Sequence, residues 1–462
     1  MFLTFLSAFL FYLSFPNFIS MYGFWPCIWV FGLPLLMALH DQPLKNRLGL
    51  GLFWGLCAYG LMAQGVIGVS LPGFLAFVMG LSLQAVIFAA FLFLAKGRIN
   101  FLSAIYLPGL WCISEFLRNY ILGGFSFYIS HAQAFCPAML KLYSTFGCLG
   151  MSFIIFLANT FLYLAIVEKI KYRRSEFCAV SFLYLSAAAI VFLGIVLAGM
   201  ARTATARQLM ALPLRVSVIQ ANIPPWEKAD PDLFDRNANL HLKLTQQAYA
   251  KFHPDLIIWP ETAFPDDLLQ STQWSPIIMS QASHMNADLL IGMASLIDGK
   301  DYNSALLVNA NGQSAGLYHK QALVPFAETT PLSALGINWG RGYHFSAGKN
   351  PGVFKLSHSL ELFGVVICSE SAHPAIVRQL RRAGVKFLVE ISNDGWFTDK
   401  PSYMLHAQAA IMRAVENHMW VIRAANTGFS FAVDPDGVVH TDGNLKLGRE
   451  GFGIFDIMIP KS

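Results

Sequence analysis

The segment LFGVVICSE (362–370) takes an apolar run directly into a cysteine and a glutamate. A run this short, ending in polar residues, is typical of a strand buried on both faces of a sheet. DLIIWPE (255–261) and VKFLVEIS (385–392) have the same form. Helices are predicted between and after such strands, at 231–252, 374–383 and 403–418. This alternation predicts an α/β domain with mixed sheets.

Two hairpins are predicted in the same half of the chain. SALLVNANGQSAGLYHK (304–320) has two β-rich runs around Asn311-Gly312, and FSFAVDPDGVV (429–439) turns at Pro-Asp-Gly. Further strands are predicted at 214–222, 288–295 and 420–425. The sequence shows no internal repeat and no glycine-rich phosphate loop.

The N-terminal part has a different composition. Residues 1–200 hold 14 of the 59 Asp, Glu, Lys and Arg residues and carry a net charge of +6. Such a low charge density excludes a wholly soluble enzyme and intrinsic disorder. A membrane domain at 1–205 is therefore predicted to be fused to a soluble domain at 206–462. The positive charge lies in membrane loops, so nucleic acid is not a predicted partner.

About seven membrane spans are predicted from apolar runs of about 20 residues, at roughly 2–20, 22–40, 48–66, 74–95, 101–122, 145–167 and 177–200. The loops on one side hold eight basic residues: Lys45, Arg47, Lys96, Arg98, Lys169, Lys171, Arg173 and Arg174. The opposite side has only Lys141 and Arg118. The positive-inside rule then places the N-terminus in the cytoplasm and residues 206–462 in the periplasm of a bacterium. Within one span, Glu115 and Arg118 are predicted to form an ion pair or to contact a lipid head group.

Cys368 is the only one of the seven cysteines that lies in the soluble half. A periplasmic cysteine without a disulfide partner, at the end of an apolar strand, is a candidate nucleophile. The alternative is a small buried hydrophobic residue.

Two charged residues stand at the ends of other apolar runs, Glu261 after DLIIWP and Lys320 after SAGLYH. A thiol needs a base such as a carboxylate, and an ammonium can stabilise the oxyanion of a tetrahedral intermediate. The three residues form a complete set for acyl transfer, although a Glu–Lys ion pair beside an inert cysteine has the same spacing. His319 is predicted to have a structural role, because strand alternation turns it away from Lys320.

Four motifs then carry a resemblance: WPETAFP (259–265), YHKQALVPFAE (318–328), GVVICSE (364–370) and SNDGWF (392–397). Together they resemble the signatures of the nitrilase superfamily. With the membrane spans and VIQANIP (218–224), the chain resembles the apolipoprotein N-acyltransferase family. The resemblance implies a four-layer αββα nitrilase-like domain fused to a multi-span α-helical membrane domain.

The same resemblance implies roles for individual residues. Glu261 would be the base, Lys320 the oxyanion-stabilising cation and Cys368 the nucleophile. The residues expected to support the site or bind substrate are Glu328, Glu370, Asn393, Asp394 and Trp396. Each supporting residue has a plainer alternative: a solvated glutamate at Glu328, a simple turn at Asn393 and Asp394, and a core aromatic at Trp396.

Three features depart from the family pattern. Ser369 follows the cysteine where an aromatic residue is usual, and Ala229 follows Lys228 where a tryptophan is usual, with Trp226 in a different register. The chain ends after GFGIFDIMIP without the eighth membrane helix that most members have. The apolar, glycine-rich segment 329–349 is predicted to be either a lid or ordinary packing.

The expected activity is acyl transfer at the inner membrane by a monomer. A phospholipid would acylate Cys368, and the α-amine of a diacylglyceryl-cysteine lipoprotein would then take the acyl chain. No cofactor or metal is expected. A membrane-tethered amidase or nitrilase-type hydrolase, and a lipoprotein-binding protein without activity, remain alternatives.

Overall fold

The computed structural model describes residues 1–94, 102–171, 179–201, 211–329 and 344–461. The chain divides into two compact units. The first contains Met1–Ile67 and Gly73–Thr203, and the second contains Gly68–Pro72 and Ala204–Ser462.

The first unit is helical. Its helices are α1 (Phe2–Ser14), α2 (Gly32–Leu39), α3 (Leu44–Met62), α4 (Leu71–Leu94), α5 (Ser103–Ile121), α6 (Pro137–Leu140), α7 (Tyr143–Lys171) and α8 (Ala179–Ala201). Within the described ranges, three helices are long and apolar enough to cross a membrane: Leu71–Phe93, Tyr143–Ile170 and Ala179–Ala198. The count of seven spans and their orientation stay predictions. Part of the orienting charge, at Lys96, Arg98, Arg173 and Arg174, lies outside the described residues.

The first two predicted spans contain shorter helices than expected. Helix α1 ends at Ser14, and Phe15 is extended with φ −102° and ψ 168°. Pro16 follows, and a residue before proline is disfavoured in the helical conformation. In the second segment a 3₁₀ turn at Trp25–Trp29 precedes α2.

Glu115 and Arg118 on α5 are both fully buried, and they do not form the predicted ion pair with each other. Arg118 donates to Gln84 Oε1 at 2.6 Å, to Tyr59 Oη at 3.2 Å and to the Phe127 carbonyl. Glu115 Oε1 accepts from a backbone N–H at 2.8 Å. The amide and hydroxyl of neighbouring helices thus bind the guanidinium, and its burial excludes the predicted head-group contact as well.

The second unit contains all the strands of the described chain. They are β1 (Ala211–Gln220), β2 (Leu256–Ile258), β3 (Phe264–Asp267), β4 (Asp288–Ile297), β5 (Lys300–Val308), β6 (Ser314–His319), β7 (Val353–Lys355), β8 (Leu362–Ile367), β9 (Phe387–Ser392), β10 (Trp420–Ala425), β11 (Phe431–Val433), β12 (Val439–His440) and β13 (Gly451–Pro460). Its helices are α9 (Pro225–Lys228), α10 (Phe234–Phe252), α11 (Trp274–Met285), α12 (Pro374–Arg382) and α13 (Lys400–Asn417).

The strands form two sheets. The first has the order β13-β1-β2-β4-β5-β6 with β3 beside β4, and the second has the order β12-β11-β10-β9-β8-β7. Strands β1, β2 and β4 are parallel, as are β8, β9 and β10. Both predicted hairpins are present, as β5–β6 and β11–β12.

The two sheets face each other across an apolar core that includes Val216, Ile258, Val365, Val389 and Ile422. The outer face of the first sheet packs against α10 and α11 through a second apolar cluster, and α12 and α13 contact β8 and β10 of the second sheet. The order of layers is helix, sheet, sheet, helix, so the predicted αββα fold is confirmed. Such a sandwich puts the carboxyl ends of the central parallel strands of both sheets at one edge, where active sites of α/β folds lie.

Five elements of the domain were not predicted, and the two longest of them are α11 and β13; the others are α9, β3 and β7. Helix α11 buries Trp274 and Ile278, and strand β13 pairs with β1 along its whole length. The signal for β13 was present, because alternate residues of GFGIFDIMIP are buried.

Candidate active site

Cys368 follows β8 and begins a 3₁₀ turn that ends at Ala372. Its φ of 54° lies in the left-handed region, which a residue with a side chain seldom adopts. Strain of this kind costs about 1–3 kcal/mol and is concentrated at functional positions. The turn leaves the cysteine half-buried at the end of the strand, packed against the core between the sheets.

Glu261 stands at the end of the first sheet's β2 segment and is 5% exposed. Its Oε1 accepts from Asn303 Nδ2 at 2.7 Å and lies 3.5 Å from Lys320 Nζ. Its Oε2 accepts from the backbone N–H of Asn393 at 2.8 Å. Since Asn393 follows β9 of the second sheet, this hydrogen bond joins the two sheets at the site.

Lys320 follows β6 and is 1% exposed. Its Nζ donates to Glu328 Oε1 at 2.9 Å, and Asn303 Nδ2 bridges to the same carboxylate at 2.9 Å. Burial alone would lower the pKa of Lys320, but the carboxylates of Glu328 and Glu261 and a thiolate at Cys368 together raise it well above its usual value. The ammonium therefore keeps its proton, and Glu328 is a buried partner of Lys320 instead of a solvated loop residue.

Glu370 is fully buried two residues after the cysteine. It accepts from Tyr318 Oη at 2.8 Å, from Gln321 N at 2.6 Å and from Ile367 N at 2.7 Å. Burial raises the pKa of this carboxyl. Glu370 thus connects, by hydrogen bonds, the backbone after Lys320 to the backbone before Cys368.

Asp394 lies just after β9 in a second buried charge cluster. It accepts from both terminal nitrogens of Arg423, at 2.8 and 2.9 Å, and from His406 Nδ1 at 2.8 Å. Arg423 also donates through Nε to Glu390 at 2.9 Å. Burial opposes ionisation of Asp394, but Arg423 and His406 hold its pKa well below the usual range.

Comparisons with known proteins agree with this architecture. The carbon-nitrogen hydrolase family model matches residues 215–457, and the model of the apolipoprotein N-acyltransferase N-terminal domain matches residues 7–161. An apolipoprotein N-acyltransferase of Pseudomonas aeruginosa is 30% identical over 454 residues, covering 91% of this chain and 84% of the relative.

This chain belongs to the apolipoprotein N-acyltransferase family. A second relative with that name, from Geobacter metallireducens, is 28% identical over 467 residues and spans 96% of this chain and 87% of its own. Among solved structures, a nitrilase-superfamily protein of Saccharomyces cerevisiae has 16% identity and a TM-score of 0.40, covering 55% of this chain and 92% of its own.

The expectation for Trp396 finds less support in the geometry, and the prediction made from the composition of 329–349 is untested. Trp396 is 43% exposed, so it is not a core aromatic. Most of the segment 329–349 lies outside the described residues, including Leu332, Leu335, Ile337, Trp339 and Tyr343. The lid therefore stays a prediction.

The structure also describes the residues near the two positions where the family usually has an aromatic side chain. The Ser369 hydroxyl lies 3.5 Å from the Ala322 carbonyl. The Trp226 side chain is 73% exposed, whereas its neighbour Lys228 is 6% exposed and donates to the Glu261 carbonyl at 3.0 Å. Burial lowers the pKa of Lys228 to about 7. His319 bonds to Ser304 at 2.8 Å, as a structural residue would.

Sequence reasoning missed Asn303, His406 and Arg423. Asn303 is a buried amide within β5, and Arg423 interrupts the apolar run WVIRAA opposite Glu390 in VKFLVEIS. Each of these two neighbouring apolar strands contains one charged residue, and that pattern predicts a buried ion pair. His406 had no such signal, since α13 also carries other polar residues. Within the described ranges, no group of three or more His, Cys, Asp or Glu residues has the geometry of a metal site.

Proposed function

We propose that the protein transfers an acyl chain from a membrane phospholipid to the α-amine of an N-terminal diacylglyceryl-cysteine of lipoproteins, through a thioester on Cys368. The observation that carries the proposal is the meeting of Glu261, Lys320 and Glu328 beside a strained cysteine. The family relationship and the apolar N-terminal unit support lipid substrates.

In the first step, Glu261 takes the proton of the Cys368 thiol and the sulfur attacks the ester carbonyl carbon. The Lys320 ammonium stabilises the oxyanion of the tetrahedral intermediate. When the carbon–oxygen bond breaks, Glu261 returns the proton to the leaving alkoxide. Lysophospholipid departs and the acyl chain stays on sulfur.

In the second step, the lipoprotein amine attacks the thioester carbon and Glu261 accepts a proton from nitrogen. The carbon–sulfur bond breaks, an amide forms and the thiolate of Cys368 is regenerated. Because the donor product leaves before the acceptor enters, the kinetics are ping-pong. The protein acts as a monomer in the inner membrane, with the nitrilase-like domain in the periplasm.

The test is intact-mass analysis of the purified full chain in mixed micelles with phospholipid alone. Wild type is expected to gain one acyl group on Cys368, Cys368→Ala none, and Cys368→Ser little, because an alcohol is far less acidic than a thiol. Cys136→Ala, which removes a thiol of the first unit, is the matched control and should acylate normally. A wild type that modifies a diacylglyceryl lipopeptide without ever showing the adduct would contradict the covalent scheme.

Adding acceptor separates the alternatives. Discharge of the adduct by a diacylglyceryl lipopeptide, with acyl transfer to its amine, supports the transferase. Discharge at the same rate in water alone would indicate a membrane-tethered hydrolase. Lipopeptide binding without an adduct or product would indicate a non-enzymatic binder.

A further inference from the structure

His406 is a buried histidine beside the cysteine that the scheme above does not use. It lies on α13, which packs against the turn at Cys368–Ala372, and its side chain is 11% exposed. Nδ1 bonds to Asp394 at 2.8 Å, and the Phe397 ring stands edge-on to the imidazole at 5.8 Å between centroids. The ring is therefore held in one orientation.

The other ring nitrogen of His406, Nε2, is buried and makes no hydrogen bond within the described residues. Burying a polar nitrogen without a partner is costly, so this position calls for an interaction that the resting structure with a neutral thiol lacks. A thiolate at Cys368, in the turn against which α13 packs, supplies that interaction by charge and by hydrogen bonding.

The charges around His406 favour its protonated form. Asp394 and a thiolate at Cys368 attract the protonated ring, Glu390 is linked to it through Arg423, and Tyr403 shares its helix. The guanidinium of Arg423, whose Nη2 lies 3.0 Å from His406 Nδ1, is a like charge that opposes protonation. Arg423 is paired with both carboxylates, so Asp394 stays ionised next to the ring. Burial alone would lower the pKa of His406, but the Cys368 thiolate and Asp394 raise it to about 10.

We infer that His406, oriented by Asp394, is a further catalytic residue whose imidazolium stabilises the thiolate of Cys368. The inference rests on the proposed function for the chemistry that the thiolate performs. His406 keeps its proton throughout, while Glu261 takes and returns the proton that moves. Three cations are near the thiolate, namely Lys320, His406 and Arg423, so it is stabilised both before attack and when it leaves the second tetrahedral intermediate.

The experiment measures alkylation of Cys368 by iodoacetamide against pH, without phospholipid, in the full chain in detergent. Peptide mass spectrometry separates Cys368 from the other cysteines. An opposite charge within about 4–6 Å shifts an ionisation midpoint by about 1–3 pH units. We expect His406→Gln to move the midpoint of the alkylation profile upward by that amount and to slow alkylation at pH 7 by about tenfold or more. A midpoint unchanged from wild type overturns the inference.

The matched control is His440→Gln. His440 also bonds to an aspartate, Asp434, at 3.2 Å, but it lies exposed on β12 at the edge of the second sheet. Its profile should match wild type. A merely structural His406 would lower the unfolding temperature without moving the midpoint. Should His406→Gln fail to fold, His406→Asn takes its place: an upward shift of the alkylation midpoint relative to wild type supports the inference, and an unchanged midpoint refutes it.

The experiments distinguish failure of the thiolate–imidazolium inference from failure of the proposed acyl transfer. An acyl adduct on wild type together with an unmoved alkylation midpoint in His406→Gln would remove His406 and leave the transferase scheme intact. A shifted midpoint in a protein that never forms the adduct would keep the thiolate–imidazolium pair and remove the scheme.

Discussion

Glu261 Oε1 and Lys320 Nζ are 3.5 Å apart. Substitutions of the two residues should nevertheless impair the acylation of Cys368 in different ways. Glu261→Gln keeps the side-chain size but cannot take a proton, so no acyl adduct should form. Lys320→Arg keeps the charge, but the planar guanidinium does not fit the place of a compact ammonium between two carboxylates. Loss of oxyanion stabilisation costs on the order of 10²–10³ in rate, and we expect acylation to slow by at least that factor.

The measurement is the initial rate of adduct formation by intact mass with phospholipid alone. Lys355→Arg, an exposed lysine on β7, serves as the control and should leave that rate unchanged. An adduct on Glu261→Gln at the wild-type rate would remove Glu261 from the role of base.

Lys228 makes the stability of the catalytic domain depend on pH. Its pKa is about 7 in the folded chain because the ammonium is buried, against about 10.4 when unfolded. Between these values the unfolded chain holds a proton that the folded chain has released, so stability rises with pH by up to about 1.4 kcal/mol per unit. Lys228→Met should flatten this rise.

The check is the unfolding temperature of wild type and variant from pH 6 to pH 10. The unfolding temperature of Lys228→Met should exceed that of wild type by the largest margin at pH 6, and this margin should disappear by pH 10. Lys243→Met, which removes an exposed lysine of α10, should run parallel to wild type. Parallel curves for Lys228→Met as well would show that Lys228 is protonated in the folded chain throughout this range.

Strands β9 and β10 are held together by a buried ion pair as well as by their backbone hydrogen bonds. Arg423 on β10 pairs with Glu390 on β9 and with Asp394 just after it, and all three are fully buried. Removing one partner of a buried pair leaves an uncompensated charge and costs about 3–5 kcal/mol. Arg423→Ala should therefore destabilise the domain strongly.

Arg215→Ala is the matched control for Arg423→Ala. Arg215 joins β1 to Asp456 on β13 at 2.7 Å, but both side chains are largely exposed, at 45% and 62%. Such a pair contributes about 0–1 kcal/mol. Thermal unfolding of the two variants measures the contrast. Equal losses of stability in the two variants would mean that the buried cluster stabilises the domain no more than an ordinary surface ion pair does.

We expect the nitrilase-like domain at 206–462 to lie outside the cytoplasm. The eight-to-two distribution of basic loop residues over seven predicted spans motivates this expectation. Alkaline phosphatase fused after residue 205 should be active, because it folds only after export, and a cytoplasmic reporter at the same position should be silent. The reverse result would overturn the topology and, with it, the assignment of lipoprotein substrates.

Much of this molecule was predictable because its signals are local. Charge density separated the two units, apolar runs and turn residues located the central strands and both hairpins, and Cys368 was singled out by its position at the end of β8. Glu261 and Lys320 became candidate site residues by the same reasoning, since each is a charge at the end of an apolar run. These inferences needed only neighbouring residues, because hydrophobic periodicity and turn chemistry act within a few positions.

The sequence by itself determined a membrane-type half, an α/β half and three chemically matched strand ends. Only the tertiary structure decided which polar groups meet. Arg118 binds Gln84 and Tyr59 instead of Glu115 on its own helix, Asn303 joins Glu261 to Glu328, and α13 brings His406 against Cys368. A buried polar group takes whichever partner packing places within hydrogen-bonding distance, and that choice depends on contacts between residues far apart in the chain.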